Sequence, residues 1–132
     1  MKSIVLILAG GKGSRLGSPI EKQFITVNGH TILEHTLNKF SKSFSKKNLL
    51  IVLPHKQINK KNSKIYMKYT DHELISSGST RKESVKNAIK YINNLIDKPE
   101  NLLIHDAARP NVNSSLIAKI KFEIHKKNIN YV

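Results

Sequence analysis

A chain of 132 residues can bury one core of reasonable size, and its lack of cysteine excludes a disulfide framework and any cysteine-ligated zinc or iron–sulfur centre. Its 23 lysines and arginines against 9 acidic residues give a net charge of +14, yet the lysines are scattered among asparagines and isoleucines without the interleaved aromatics of a base-stacking surface, so nucleic acid is not the expected partner. No stretch approaches the roughly 20 apolar residues that span a bilayer, and the apolar run 4–9 leads into glycines and cations rather than a signal cleavage site; a soluble cytoplasmic protein is expected.

Residues 5–8 lie in an unbroken apolar run, the pattern of a strand covered on both faces in a parallel sheet. A glycine-rich turn with Lys12 and Arg15 follows directly. Glycines let backbone N–H groups converge on an anion and the cations add charge, which makes phosphate the common guest of such a loop. Thr31 and Glu34 have capping-box spacing, and Ile32, Leu33, Leu37 and Phe40 share a face, so a helix is predicted over about 31–40. Residues 49–53 are wholly apolar and are stopped by Pro54, which predicts a second buried strand.

Residues 57–64 read as polar loop, with weaker extended segments at 65–69 and 73–75 before the break at Ser76, Ser77 and Gly78. Thr80 and Glu83 form a second capping box ahead of Val85, Ala88, Ile89, Ile92 and Ile96, which recur at helical spacing. Residues 102–104 predict a third buried strand ending in His105 and Asp106. Ser114 or Ser115 then opens a last helix carrying Ile117, Ile120 and Ile124, and Tyr131 with Val132 reads as the start of another strand.

Strands alternating with helices imply an α/β fold with a mainly parallel sheet, whose ligands gather outside the carboxyl ends of the strands. That rule selects the glycine turn, the 76–84 turn and the 106–110 turn. The first is not a Walker loop, since Leu6 stands five before Gly11 and Ser14 follows Gly13, nor a dinucleotide fingerprint, since Leu16 stands where a glycine is needed. Asp106 ends a buried strand, and a carboxylate there calls for a cation, either a metal or Arg109. The six histidines give no metal-ligand pair on one helix face, His105 reads as a strand-end residue, and no G-x-S-x-G elbow is present.

Three ordered stretches, "LAGGKGSRLGSPIEKQFITVNGHTILEHTLNKF", "SGSTRKESVKNAI" and "HDAARP", resemble the signatures of the cytidylyltransferases. Within that group, "RKESV" and "HDAARP" are more similar to the 2-C-methyl-D-erythritol 4-phosphate enzymes than to the ribitol 5-phosphate enzymes. The resemblance implies a Rossmann-like nucleotidyltransferase domain in which a methylerythritol phosphate oxygen attacks the α-phosphorus of CTP and releases pyrophosphate, a step of isoprenoid precursor synthesis. The nucleophile is already an anion, so positioning and charge neutralisation are the work left to the protein.

The resemblance implies that Arg15 and Lys22 are the catalytic cations that stabilise charge developing on the triphosphate. It places the backbone of Ala9, Gly10, Gly11 and Gly13 against CTP, with Gly78, Ser79 and Ser84 hydrogen-bonding the cytosine and Arg81 organising their turn. Ala107 is small enough to admit the ribose, Asp106 corresponds to the residue beside a Mg²⁺ ion, and Arg109 to one near the polyol phosphate. Lys12 falls at a variable position and is expected to be exposed.

Two positions depart from the family pattern. Glu21 stands where proline usually precedes the lysine-glutamine pair, putting a negative charge beside Lys22, and Ser77 stands where a second glycine is common. The resemblance covers essentially the whole chain but only the front of the family domain. Residues 1–132 are therefore expected to be the N-terminal, CTP-binding part of a single domain, truncated before its C-terminal strands and the arm through which the complete enzymes form homodimers. Such a piece has an unpaired sheet edge and is expected to turn over little alone. The alternatives are a ribitol-5-phosphate cytidylyltransferase, a basic nucleic-acid-binding module, and an inactive remnant that pairs with a full-length partner.

Overall fold

The computed structural model describes residues 1–10 and 21–127. The expected site residues Gly11, Gly13 and Arg15, together with Lys12 and the strand expected at Tyr131 and Val132, lie outside the described residues. Strand β1, Ser3–Leu8, is buried at every position, as an apolar run with no polar face requires. A 3-10 turn, Lys22–Phe24, then precedes two short strands, β2 (Thr26–Val27) and β3 (His30–Thr31), which pair antiparallel. The sequence reading missed this hairpin, although Asn28 and Gly29 at φ 52° and 83° are the Asn-Gly pair that a two-residue hairpin turn favours.

Helix α1, Ile32–Ser41, begins with the expected capping box. Glu34 N–H donates to Thr31 Oγ1 at 3.2 Å and Thr31 N–H to Glu34 Oε1 at 3.4 Å. Strand β4, Leu49–Leu53, is buried throughout. The next segment corrects the reading of loop and extended chain over 57–69, because Lys60–Tyr66 is a helix, α2. Asn59 caps it by accepting from Asn62 N–H at 2.9 Å, and Tyr66 at its end is buried in the core while the exposed residues are polar.

Strand β5 is Ile75–Ser76, and α3 spans Arg81–Asn93. The expected second capping box is half formed. Glu83 N–H donates to Thr80 Oγ1 at 3.1 Å, but the Glu83 carboxylate turns to Ser79 instead of the Thr80 backbone. The helix ends before Ile96, which is fully exposed, and Ile89 also faces solvent, so neither belongs to the buried stripe. Strand β6, Asn101–Asp106, is only half-buried at Leu102 and Ile104, because α3 lies over β5, β4 and β1 and reaches that side of β6 only in part. Helix α4, Ser114–Lys127, buries Ile117 and Ile124 and half-buries Ile120.

The main sheet has four parallel strands in the order β5-β4-β1-β6, with β2 and β3 forming a separate ribbon. Alternate β1 residues point into two cores. Val5 and Ile7 meet Leu33, Leu37, Phe40, Ile117 and Ile124 of α1 and α4. Ile4 and Leu6 meet Ala88 and Ile92 of α3 on the opposite face. The chain runs from β1 to β4 and β5 on one side, then crosses to β6 on the other. The carboxyl ends of β1 and β6 therefore flank a topological switch point, where a parallel sheet opens a crevice.

Candidate functional site

That crevice is a cleft of about 580 Å³. Leu8 and Gly10 line it from the end of β1, Lys22 and Gln23 from the 3-10 turn, 78–81 and Ser84 from the start of α3, and Asp106, Ala108 and Arg109 from beyond β6. Residues separated by tens of positions in sequence thus share one wall-to-wall space. Ala9 and Ala107 lie behind it: both are buried, and Ala108 takes the lining place expected of Ala107. The reason is that Ala107 continues the β6 pairing, donating its N–H to Leu8 O at 2.8 Å and accepting from Thr36 Oγ1 at 2.8 Å.

The 78–84 turn is knit together by its own polar groups. Gly78 N–H donates to Ser84 Oγ at 3.0 Å, and the Ser84 hydroxyl donates to Thr80 O at 3.0 Å. Ser79 donates to Glu83 Oε2 through its N–H at 2.9 Å and its hydroxyl at 2.6 Å. Those two bonds hold the Glu83 carboxyl below its ordinary pKa. A Cβ on Gly78 would stand 2.3 Å from Glu83 Cβ, so the turn can fold back on the helix only at a glycine. Ser79 and Ser84 are thereby oriented before any ligand arrives, and Ser84 keeps a free acceptor position on its hydroxyl. Asn87, absent from the sequence reading, donates to Ser76 O at 3.0 Å and ties α3 to the end of β5.

Charge is arranged around one carboxylate. Asp106 Oδ1 lies 3.6 Å from Arg81 Nε, and Oδ2 lies 3.7 Å from Arg109 Nε. Lys22 brings a further cation to the lining. Its neighbour Glu21 turns away, with its carboxylate 3.7 Å from Lys56 Nζ. Gln23 is buried and donates its amide to Ala9 O at 2.9 Å, which fastens the Lys22 turn to the end of β1. Sequence reasoning passed over Gln23, Lys56 and Thr36. Only Gln23 carried a local signal, since a polar residue between Lys22 and the apolar Phe24 invites a buried partner. His105 is structural: its ring lies 4.9 Å from that of Phe40, and its Nε2 is 3.1 Å from Arg109 O.

Asp106 is the sole carboxylate lining the cleft among the described residues, and no three carboxylate or imidazole side chains converge there. One carboxylate suits a Mg²⁺ ion that takes most of its ligands from phosphates and water, and does not make an all-protein cage.

In class, this is a Rossmann-like α/β protein whose parallel sheet carries a cationic cleft at its switch point. The chain belongs to the 2-C-methyl-D-erythritol 4-phosphate cytidylyltransferase (IspD) family, which matches residues 3–130. The 2-C-methyl-D-erythritol 4-phosphate cytidylyltransferase of Thermosipho melanesiensis is 37% identical over 119 residues, covering 89% of this chain and 52% of that protein. The D-ribitol-5-phosphate cytidylyltransferase of Xenopus tropicalis is 35% identical over 124 residues, covering 88% of this chain and 30% of that protein. Among solved structures, the 4-diphosphocytidyl-2C-methyl-D-erythritol synthase of Anaerococcus prevotii superposes with a TM-score of 0.70 at 26% identity, over 95% of this chain and 52% of that one. The chain spans about half the length of the curated methylerythritol relatives it matches.

The family's description is that of a cytidylyltransferase acting on a phosphorylated sugar alcohol. Among the described residues, no helix is long and apolar enough to cross a membrane.

Proposed function

We propose that this chain is the CTP-binding part of an enzyme that transfers a cytidylyl group from CTP to 2-C-methyl-D-erythritol 4-phosphate in isoprenoid precursor synthesis. Residues 1–132 then form the N-terminal part of one nucleotidyltransferase domain, working in the cytoplasm and, in the complete protein, as a homodimer. The observation that carries the reading is the convergence of Gly10, Lys22, 78–81, Ser84, Asp106 and Arg109 on one cleft.

In this reading the acceptor phosphate oxygen attacks the α-phosphorus, a P–O bond forms there, and pyrophosphate leaves with the electrons of the bond that breaks. Lys22, with Arg15, neutralises charge building on the triphosphate oxygens. The backbone of Gly10 approaches the nucleotide where a side chain would be in the way, a part that the family resemblance also assigns to Ala9, Gly11 and Gly13. Gly78, Ser79 and Ser84 read the cytosine from a turn already ordered by its own hydrogen bonds, and Ala108, in the lining place expected of Ala107, borders the ribose. Arg109 faces the acceptor phosphate. Asp106 is the residue that would hold Mg²⁺, which when bound supplies charge neutralisation between phosphates.

Titrating the chain with CTP, UTP, ATP and GTP in the presence of Mg²⁺ tests this. Saturable binding that favours CTP is expected. A chain that is folded by circular dichroism and binds all four alike, or none, would contradict the reading. The identity with the Xenopus tropicalis protein supports a second acceptor, ribitol 5-phosphate, and offering both polyol phosphates to the complete protein decides between them.

A further inference from the structure

Gly10 and Ser77 meet over the carboxyl end of β4. On one side, Ala9 N–H donates to Val52 O at 2.8 Å; on the other, Ser77 N–H donates to Leu53 O at 2.8 Å. The chains leaving β1 and β5 are thus both tied to the last residues of the strand between them. Gln23 adds a further tie, since its amide donates to Ala9 O at 2.9 Å. Between these anchors the two backbones pass so closely that a Cβ on Gly10 would stand 2.4 Å from Ser77 Cβ and 2.9 Å from Ser77 Oγ.

A Cβ is fixed by its backbone, so rotating either side chain leaves the 2.4 Å contact unrelieved. Only a backbone shift would relieve it, and the hydrogen bonds on both flanks oppose that shift. Gly10 lines the cleft, whereas Ser77 is half-buried behind it. The same added carbon on Gly10 would also lie 3.6 Å from Ser84 Oγ, the atom that accepts from Gly78 N–H. The side of Gly10 on which a Cβ would stand is therefore closed by Ser77 and, slightly farther off, by the Ser84 hydroxyl of the 78–84 turn.

We propose that Ser77 is a positioning residue for the bound nucleotide: its Cβ sets how far the Gly10 backbone stands into the cleft, and this makes glycine obligatory at position 10. The inference rests on the nucleotide reading of the cleft. It also gives Ser77 a purpose, because the side chain at 77 occupies the volume that a side chain at 10 would need. A wall made of pressed backbone keeps its place to within a few tenths of an ångström, and ligand contacts are sensitive to displacements on that scale.

The test uses the chain with S77A, S77G, G10A and the double variant G10A/S77G, reading CTP affinity with Mg²⁺ and thermal melting for each. S77A keeps the Cβ and should bind like wild type. S77G should melt cooperatively yet bind CTP about fivefold more weakly, because the wall loses its backing. G10A should bind about tenfold more weakly or worse, and the double variant should regain most of that loss, since the overpacked contact is gone. A double variant no better than G10A, or S77G binding as wild type does, overturns the inference while wild-type binding stands. Absence of nucleotide binding by folded wild type instead removes the reading beneath it, and the inference with it.

Discussion

Arg81 at the first turn of α3 holds its Nε 3.6 Å from Oδ1 of Asp106 at the end of β6, and so joins two walls of the cleft through the carboxylate that Arg109 also reaches. The Asp106 side chain is 39% exposed, and ion pairs this open contribute about 0–1 kcal/mol each. A phosphate-bound divalent cation can therefore compete with both guanidiniums for Asp106. Freed, those guanidiniums become donors for phosphate oxygens. In Asp106→Asn, CTP affinity measured calorimetrically with Mg²⁺ should fall about tenfold, while affinity in EDTA holds or rises because a negative charge facing the triphosphate is gone. Equal losses with and without Mg²⁺ would leave Asp106 only the structural task of tying Arg81 to Arg109.

Glu21 brings a carboxylate next to Lys22 in the chain, but in space it belongs to Lys56. Its side chain is only 19% exposed, and the Lys56 ammonium 3.7 Å away neutralises it. Without Lys56, the nearest cation available to Glu21 by sequence is Lys22 itself. Lys56→Ala should weaken CTP binding about threefold, and adding Glu21→Gln should restore it, an interaction of the modest size that partly exposed charges show. Additive losses in the double variant would mean that Lys56 acts on the nucleotide independently of Glu21.

Gln23 links the Lys22 turn to β1 through a buried hydrogen bond, and buried polar groups are costly to orphan. In Gln23→Leu the Ala9 carbonyl loses its side-chain donor, which should cost about 1–3 kcal/mol in urea unfolding. CTP affinity should fall as well, because the same bond fixes where Lys22 stands. If stability drops but nucleotide affinity is retained, Lys22 takes its position from something other than Gln23.

Strands β1 and β4 were legible because burial on both faces leaves no room for polar residues, and both helix starts at Thr31 and Thr80 were legible because capping is a local transaction. Helix α2 was not, since Lys60–Tyr66 has almost no apolar stripe and depends on the Asn59 cap and the burial of Tyr66. The three loops could be picked out from the parallel-sheet rule, but the partners within them could not. Thr36 meets Ala107 across 71 positions and Gln23 meets Ala9 across 14. Residue preference carries no record of such meetings, which come from the strand order. The same holds for Glu21, whose neighbour in sequence suggested interference with Lys22 and whose neighbour in space is a second lysine.

Tyr66 gives the fold a dependence on alkaline pH. Burial, reinforced by the nearby Glu34 carboxylate, pushes its phenol up to about 12 from 10.0, against the opposing effect of a hydrogen bond with the Thr31 side chain. Burial and Glu34 also raise Tyr69. In the unfolded chain the Tyr66 phenol ionises near pH 10, while in the folded chain it stays protonated until about 12. Unfolding between these values releases a proton, so the contribution is fully present below pH 10 and is lost as pH rises toward 12. Tyr66→Phe should lose stability less steeply than wild type as urea unfolding is repeated from pH 9 to about 11.5. Tyr69 should leave a residual slope in the variant. Parallel declines in the two proteins would show that the Tyr66 phenol ionises with equal ease folded and unfolded.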